Sequence, residues 1–201
     1  MIVPGLLKID GFLKIYDPNN GDIFVDKHNA IHYENMSISL AETLAHKTQG
    51  WIYEMSFGNG GSSVDPTGVI TYLPPNVTGQ NANLYNQTYS KVVDDNSAAN
   101  TDPVNNKLTV LHTSGKLYTD ILVSCLLDYG EPSGQQAFDN STNFDGEFVF
   151  DELGLKGWTG NGAADRLLTH VIFHPVQKSL NRQIQIDYTV RIQTLTNLSA
   201  A

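Results

Sequence analysis

Gln183-Ile184-Gln185-Ile186-Asp187-Tyr188-Thr189-Val190-Arg191-Ile192-Gln193 alternates from end to end. Ile184, Ile186, Tyr188, Val190 and Ile192 fall on one side, and the polar or charged residues fall on the other. Successive side chains of an extended backbone leave opposite faces, so this run reads as a strand with one buried and one wet face. A slip of one residue would turn every apolar group to water, which fixes the register. Earlier in the chain, residues 6–16 and 22–28 read as a hairpin. Asp17-Pro18-Asn19-Asn20-Gly21 joins them, with Pro setting φ and Gly or Asn accepting positive φ. Residues 51–57 alternate as well, with Trp51, Tyr53, Met55 and Phe57 on one face and Ile52, Glu54 and Ser56 on the other. Residues 69–73, 84–93, 107–112, 118–128, 147–150 and 167–174 complete the strand candidates, the last closed by Pro175. Roughly ten short strands separated by turn signals predict an antiparallel β-sandwich or jelly-roll-like fold. A single β-rich domain over residues 1–201 is expected.

One helix interrupts the strands. Met36, Leu40 and Leu44 stand at i, i+4 and i+8, with Asn35 as a cap and Gly50 beyond the end. This spacing predicts a short helix over about residues 35–47 with one apolar stripe lying against a sheet.

The composition excludes several classes. Twelve Lys and Arg against 21 Asp and Glu give a net charge of −9, and only 16% of the 201 residues are charged. The 18 Asn carry much of the polarity as uncharged amides. A disordered polyelectrolyte or a coiled coil would need far more charge. The acidic balance argues against direct nucleic-acid binding, which requires a clustered basic face. No apolar stretch approaches the ~20 residues of a membrane helix, so no membrane association is expected. Cys125 stands alone within an apolar run and reads as a buried, inert thiol in a protein folded in a reducing cytoplasm.

The motifs that suggest chemistry do not hold up. Gly58-Asn59-Gly60-Gly61-Ser62-Ser63 looks like a phosphate cradle but lacks the Lys and the following helix, leaving a tight glycine turn. Residues 141–152 partly match a calcium loop through Asn143, Asp145, Gly146 and Glu152. The first ligand position holds Ser141, so a turn feeding a strand is expected instead. His28 and His32, and His170 and His174, stand four apart. Along a strand that is about 13 Å, too far to share one metal. No Gly-x-Ser-x-Gly and no Ser-x-x-Lys occurs, and Asp94-Asp95 and Asp151-Glu152 read as solvated loop charges. No catalytic residue, cofactor or metal site is expected.

The connections 58–68, 74–83, 94–106 and 130–145 are long, polar and rich in Gly, Pro, Asn and Ser. Loops of this length inside a compact domain have a task or are disordered. They are expected to become ordered only against neighbouring subunits.

Asp10-Gly11-Phe12-Leu13-Lys14-Ile15-Tyr16, then Ile23-Phe24-Val25-Asp26-Lys27-His28-Asn29-Ala30-Ile31, and Ile52-Tyr53-Glu54-Met55-Ser56-Phe57-Gly58-Asn59-Gly60-Gly61 form an ordered pattern in the N-terminal part. These three segments resemble virion structural proteins of tailed bacteriophages. The helix carrying Leu40-Ala41-Glu42-Thr43-Leu44-Ala45 lies between the second and the third. The resemblance runs to about residue 75 and implies a non-enzymatic subunit of the virion, assembled in the host cytoplasm. Its implied partners are copies of itself and other virion proteins: portal, neck or tail components, or the major capsid protein. A homo-oligomeric ring in the neck or tail is the leading expectation, and a capsid decoration protein is the runner-up. The resemblance assigns no functional residues. Assembly contacts are sought at the turn Gly58, Asn59, Gly60 and Gly61, and at Gln183, Gln185 and Asp187, whose strand would extend a neighbour's sheet if it lay at an edge. A carbohydrate-binding or adhesion module is the competing class, with Trp158 as the exposed stacking residue and Trp51 as a core residue.

Overall fold

The computed structural model of the chain describes residues 6–133, 148–160 and 164–195. Thirteen strands and one helix follow one another along these residues. β1 (Leu6–Tyr16) and β2 (Ile23–His28) form the N-terminal hairpin, and Gly21 adopts φ +81° in its turn. β3 (Ala30–Ile31) leads into α1 (Tyr33–Leu44), after which β4 (Ile52–Gly58) crosses the molecule. The small hairpin β5 (Ser62–Val64) and β6 (Ile70–Tyr72) precedes β7 (Gln87–Val92), β8 (Lys107–Leu111) and β9 (Tyr118–Leu127). β10 (Val149–Trp158), β11 (Ala164–Leu167), β12 (Thr169–Gln177) and β13 (Ile184–Leu195) complete the chain.

All pairings are antiparallel and build a sandwich-like arrangement of two main sheets. The first runs β2-β1-β13-β9-β8 and the second β3-β12-β10-β4-β7, with β11 added against β10. Leu13, Ile15, Val123, Cys125, Ile186 and Tyr188 of the first sheet share one buried cluster with Met55, Phe57, Leu153, Leu155, Val171 and Phe173 of the second. The alternation of residues 183–193 is realised as read: Ile184, Ile186, Tyr188 and Val190 are sealed inside, and Ile192 is half-buried. β13 is nonetheless a central strand, bonded to β1 on one side and β9 on the other. It therefore offers no edge for a neighbouring sheet, and the extension expected there is corrected.

Four further expectations are revised. The helix starts two residues earlier and stops three earlier than the apolar spacing suggested, and His32 rather than Asn35 caps it. Asn35, Met36 and Ser39 are its buried residues, whereas Leu44 is 87% exposed, so the apolar stripe ends after Leu40. β10 is the largest surprise. Only 149–150 lie within the span predicted from sequence, because Asp151-Glu152 read as solvated loop charges; in fact the strand runs buried to Gly157 through the middle of the second sheet. Pro175 does not end its strand. The pairing slips between Phe150 and Glu152, and Pro175 lies in that bulge, where the ladder asks for no N–H.

The fourth revision concerns the loops. Connection 74–86 folds over the outer face of the second sheet, where Ala82 and Leu84 close a small apolar cluster with Leu167. Connection 94–106 is tied by its own Asn and Asp side chains: Asn100 Nδ2 donates to the carbonyls of Asp94 and Asn106, and Asn106 Oδ1 accepts from the Leu126 N–H at 2.9 Å. The expectation that neighbours alone order these connections is therefore corrected. Most of connection 130–145 lies outside the described residues.

Candidate functional site

The polar centre of the molecule lies where β10 meets the glycine turn after β4. Glu152 and His170 are both fully buried. Glu152 Oε1 accepts from the backbone N–H of Asn86 and Gly60 at 2.8 and 3.1 Å. Its Oε2 accepts from the Tyr85 N–H at 2.9 Å and from His170 Nε2 at 3.0 Å. His170 Nδ1 in turn accepts from the Asn76 N–H at 2.8 Å, so the imidazole is a neutral ring protonated on Nε2. Asp151, on the opposite face of β10, accepts from the N–H groups of Gly61 and Ser62 at 2.9 and 2.7 Å and from Ser62 Oγ.

The electrostatics follow from this wiring. Burial pushes the Glu152 carboxyl upward, but the hydrogen bonds from His170, Asn86, Tyr85 and Gly60 outweigh it and hold Glu152 below the usual glutamate range. Burial also raises Asp151, and there the opposing bonds from Ser62 and Gly61 do not prevail, with the neighbouring Glu152 charge adding to the rise. A buried carboxylate stabilised by three backbone N–H groups and a neutral imidazole is a structural anchor. It fastens the end of connection 74–86 and the glycine turn directly to β10, and the start of that connection through His170 of β12.

Gly58, Asn59, Gly60 and Gly61, sought as an assembly surface, belong to this anchor. Their glycines are required by close approach: a Cβ on Gly58 would stand 2.4 Å from the Asn86 carbonyl oxygen, and one on Gly60 2.7 Å from the Asn86 N. The glycine-rich end of residues 52–61 is thus a place where two backbones meet over a carboxylate. Gly11 plays a similar part in the first segment, since a Cβ there would overlap the Asn29 side chain. Reading Asp151, Glu152 and Asp94 as solvated charges is corrected, because all three are buried.

Gln183, Gln185 and Asp187 project from the outer face of the first sheet and are half-buried. Asp187 accepts from Tyr16 Oη at 3.1 Å and Gln185 Nε2 at 3.1 Å, and Gln183 Nε2 donates to Asp128 at 2.7 Å. Among the described residues the outermost strands of the two main sheets are β2 and β8, and β3 and β7.

The histidine pairs separate as a strand geometry requires. His174 is exposed while His170 is buried. His32 caps α1 through Nδ1 and donates Nε2 to the Gly79 carbonyl at 2.9 Å, whereas His28 is exposed. Of the calcium-loop candidates, Ser141, Asn143, Asp145 and Gly146 lie outside the described residues, and Glu152 has both oxygens engaged by N–H donors. Among the described residues no three His, Cys, Asp or Glu side chains gather as metal ligands. Cys125 is fully buried in the core, and burial pushes its thiol up to about 12. No helix among the described residues is long and apolar enough to cross a membrane.

Trp51 departs from expectation. It is half-buried, and with Tyr53 and Trp158 it lines a recess at the end of the sandwich.

Compared with known proteins, the chain matches no family model, no curated protein and no solved structure.

Proposed function

We propose that the chain is a non-catalytic structural subunit of a tailed-bacteriophage virion that assembles with copies of itself, in a ring of the neck or tail region. A place on the capsid surface is the runner-up. One observation carries the reading toward assembly: the β5–β6 hairpin lies outside both main sheets and presents Val64, Val69, Tyr72 and Leu73, each between 42% and 58% exposed. A lone two-stranded hairpin is marginal in water. This one is held at its root by Asp151 on Ser62, by the Leu73 N–H on the Gly61 carbonyl, and by Tyr72 Oη against His174. A rooted arm with an apolar surface is suited to insertion into a neighbour. The open β8 edge adds a second contact, with Val110 70% exposed and Leu111 beside it. The segments resembling virion proteins form the first hairpin and the glycine turn from which the arm departs, which supports the same reading.

Mass photometry over a dilution series tests this. The expected result is a discrete oligomer of the 22.1 kDa chain that Val64→Glu with Val69→Glu reduces to monomer while the fold is kept. A monomer at every concentration, absent from purified particles by cryo-microscopy, refutes it.

A further inference from the structure

Trp51, Tyr53 and Trp158 come together on the core-facing side of β4 and β10, at the end of the sandwich where the sheets part. Met55 and Phe57 are sealed, whereas Trp51 and Tyr53, at the start of β4, are half-buried. The indole rings of Trp51 and Trp158 are 6.4 Å apart between centres and 20° from parallel, and the Tyr53 ring sits 4.5 Å from Trp158 at 41°, tilted over its face. This aromatic cluster lines a recess of about 430 Å³ together with Leu108 of the opposing sheet, Asp94, Asn96 and Ser97.

The aromatic cluster is held in place from its polar side. Trp51 Nε1 donates to Asp94 Oδ2 at 3.0 Å, and Asp94 Oδ1 accepts from the Asn96 N–H at 3.0 Å. Tyr53 Oη and Ser97 Oγ are 3.2 Å apart. Side chains fixed before a ligand arrives lose little freedom on binding.

We infer that this recess binds a neutral pyranose ring of an oligosaccharide, separately from any assembly contact. The apolar C–H face of a pyranose matches the half-buried aromatic rings that line the recess, and its hydroxyls are donors suited to a carboxylate, an amide and a hydroxyl at the rim. Among the described residues the lining contains no Lys, Arg or His, and the buried Asp94 repels phosphate, so nucleotides and sialylated or sulfated sugars are disfavoured.

The two tryptophans of the chain are both in this recess, so intrinsic indole fluorescence reports on it alone. The test is a fluorescence titration of the full chain with a panel of neutral methyl pyranosides and oligosaccharides of glucose, galactose, mannose and N-acetylhexosamines. A saturable change with Kd at or below about 1 mM is expected for at least one of them. Trp158→Ala, read through Trp51, and Asn96→Ala at the exposed rim are each expected to weaken it about tenfold, a loss of ~1.4 kcal/mol. Should Trp158→Ala fail to fold, Asn96→Ala decides. No saturable response from any sugar, a response the folded variants leave unchanged, or saturation only by choline, lysine peptides or nucleosides overturns the inference.

Discussion

Replacing Glu152 by Gln keeps the shape of the side chain and removes its charge. The amide oxygen can still accept from the Gly60 and Asn86 N–H groups, but the NH2 group then faces the Tyr85 N–H and the His170 Nε2–H, both donors. The imidazole cannot change tautomer to relieve this, because Nδ1 already accepts from the Asn76 N–H. Turning the amide over moves the conflict to Gly60 and Asn86. Two hydrogen bonds to a charged acceptor are lost, at roughly 1.5–3 kcal/mol each, so Glu152→Gln is expected to destabilise by about 3–6 kcal/mol. That is a large share of the 5–15 kcal/mol by which domains are typically stable. The dependence on pH has a definite sign. A carboxyl held below its ordinary range contributes stability that is present above the unfolded value and lost as pH falls through the folded value. Glu152→Gln should therefore flatten the acid side of the stability profile as well as lower it. Urea denaturation from neutral pH downward measures both, and hydrogen exchange locates the damage at Asn76, Tyr85 and Asn86. A loss under about 1 kcal/mol, or weakened protection spread evenly over both sheets, refutes the view that this carboxylate anchors the connection.

Gly58→Ala places a methyl against the Asn86 carbonyl and the Glu152 carboxylate at 2.4 and 2.5 Å, and thermal unfolding should show about 2–3 kcal/mol of destabilisation from overpacking. Lys178 is buried, and burial lowers its ammonium to about 8 from 10.5, so the folded chain sheds this proton before the unfolded one does. Stability from this group therefore rises between those two pH values, and a wild-type-minus-Lys178→Met difference in unfolding free energy that fails to rise there contradicts the assignment. Cys125 should resist a thiol reagent such as DTNB in the native state and react once urea unfolds the chain; rapid native labelling would show that the core is open.

The sequence alone was sufficient for elements whose pattern is local. Residues 183–193 alternate because a sheet covers one face and water the other, and the Pro-Asn-Asn-Gly turn closes its hairpin through the local preferences of its own residues. β10 shows the opposite case. A strand buried on both faces has no alternation to read, and its Asp151 and Glu152 resemble loop charges until their partners are known. Those partners are backbone N–H groups of residues 60–62 and 85–86, invisible in side-chain composition and distant along the chain. The same limit hid the aromatic recess, since Trp51 and Tyr53 continue the period of the buried Met55 and Phe57. Only the parting of the sheets at that end leaves two of the four half-open. Local periodicity records which face of an element is covered. Where the cover ends, and which backbone supplies a buried charge with donors, is settled by packing between segments far apart in sequence.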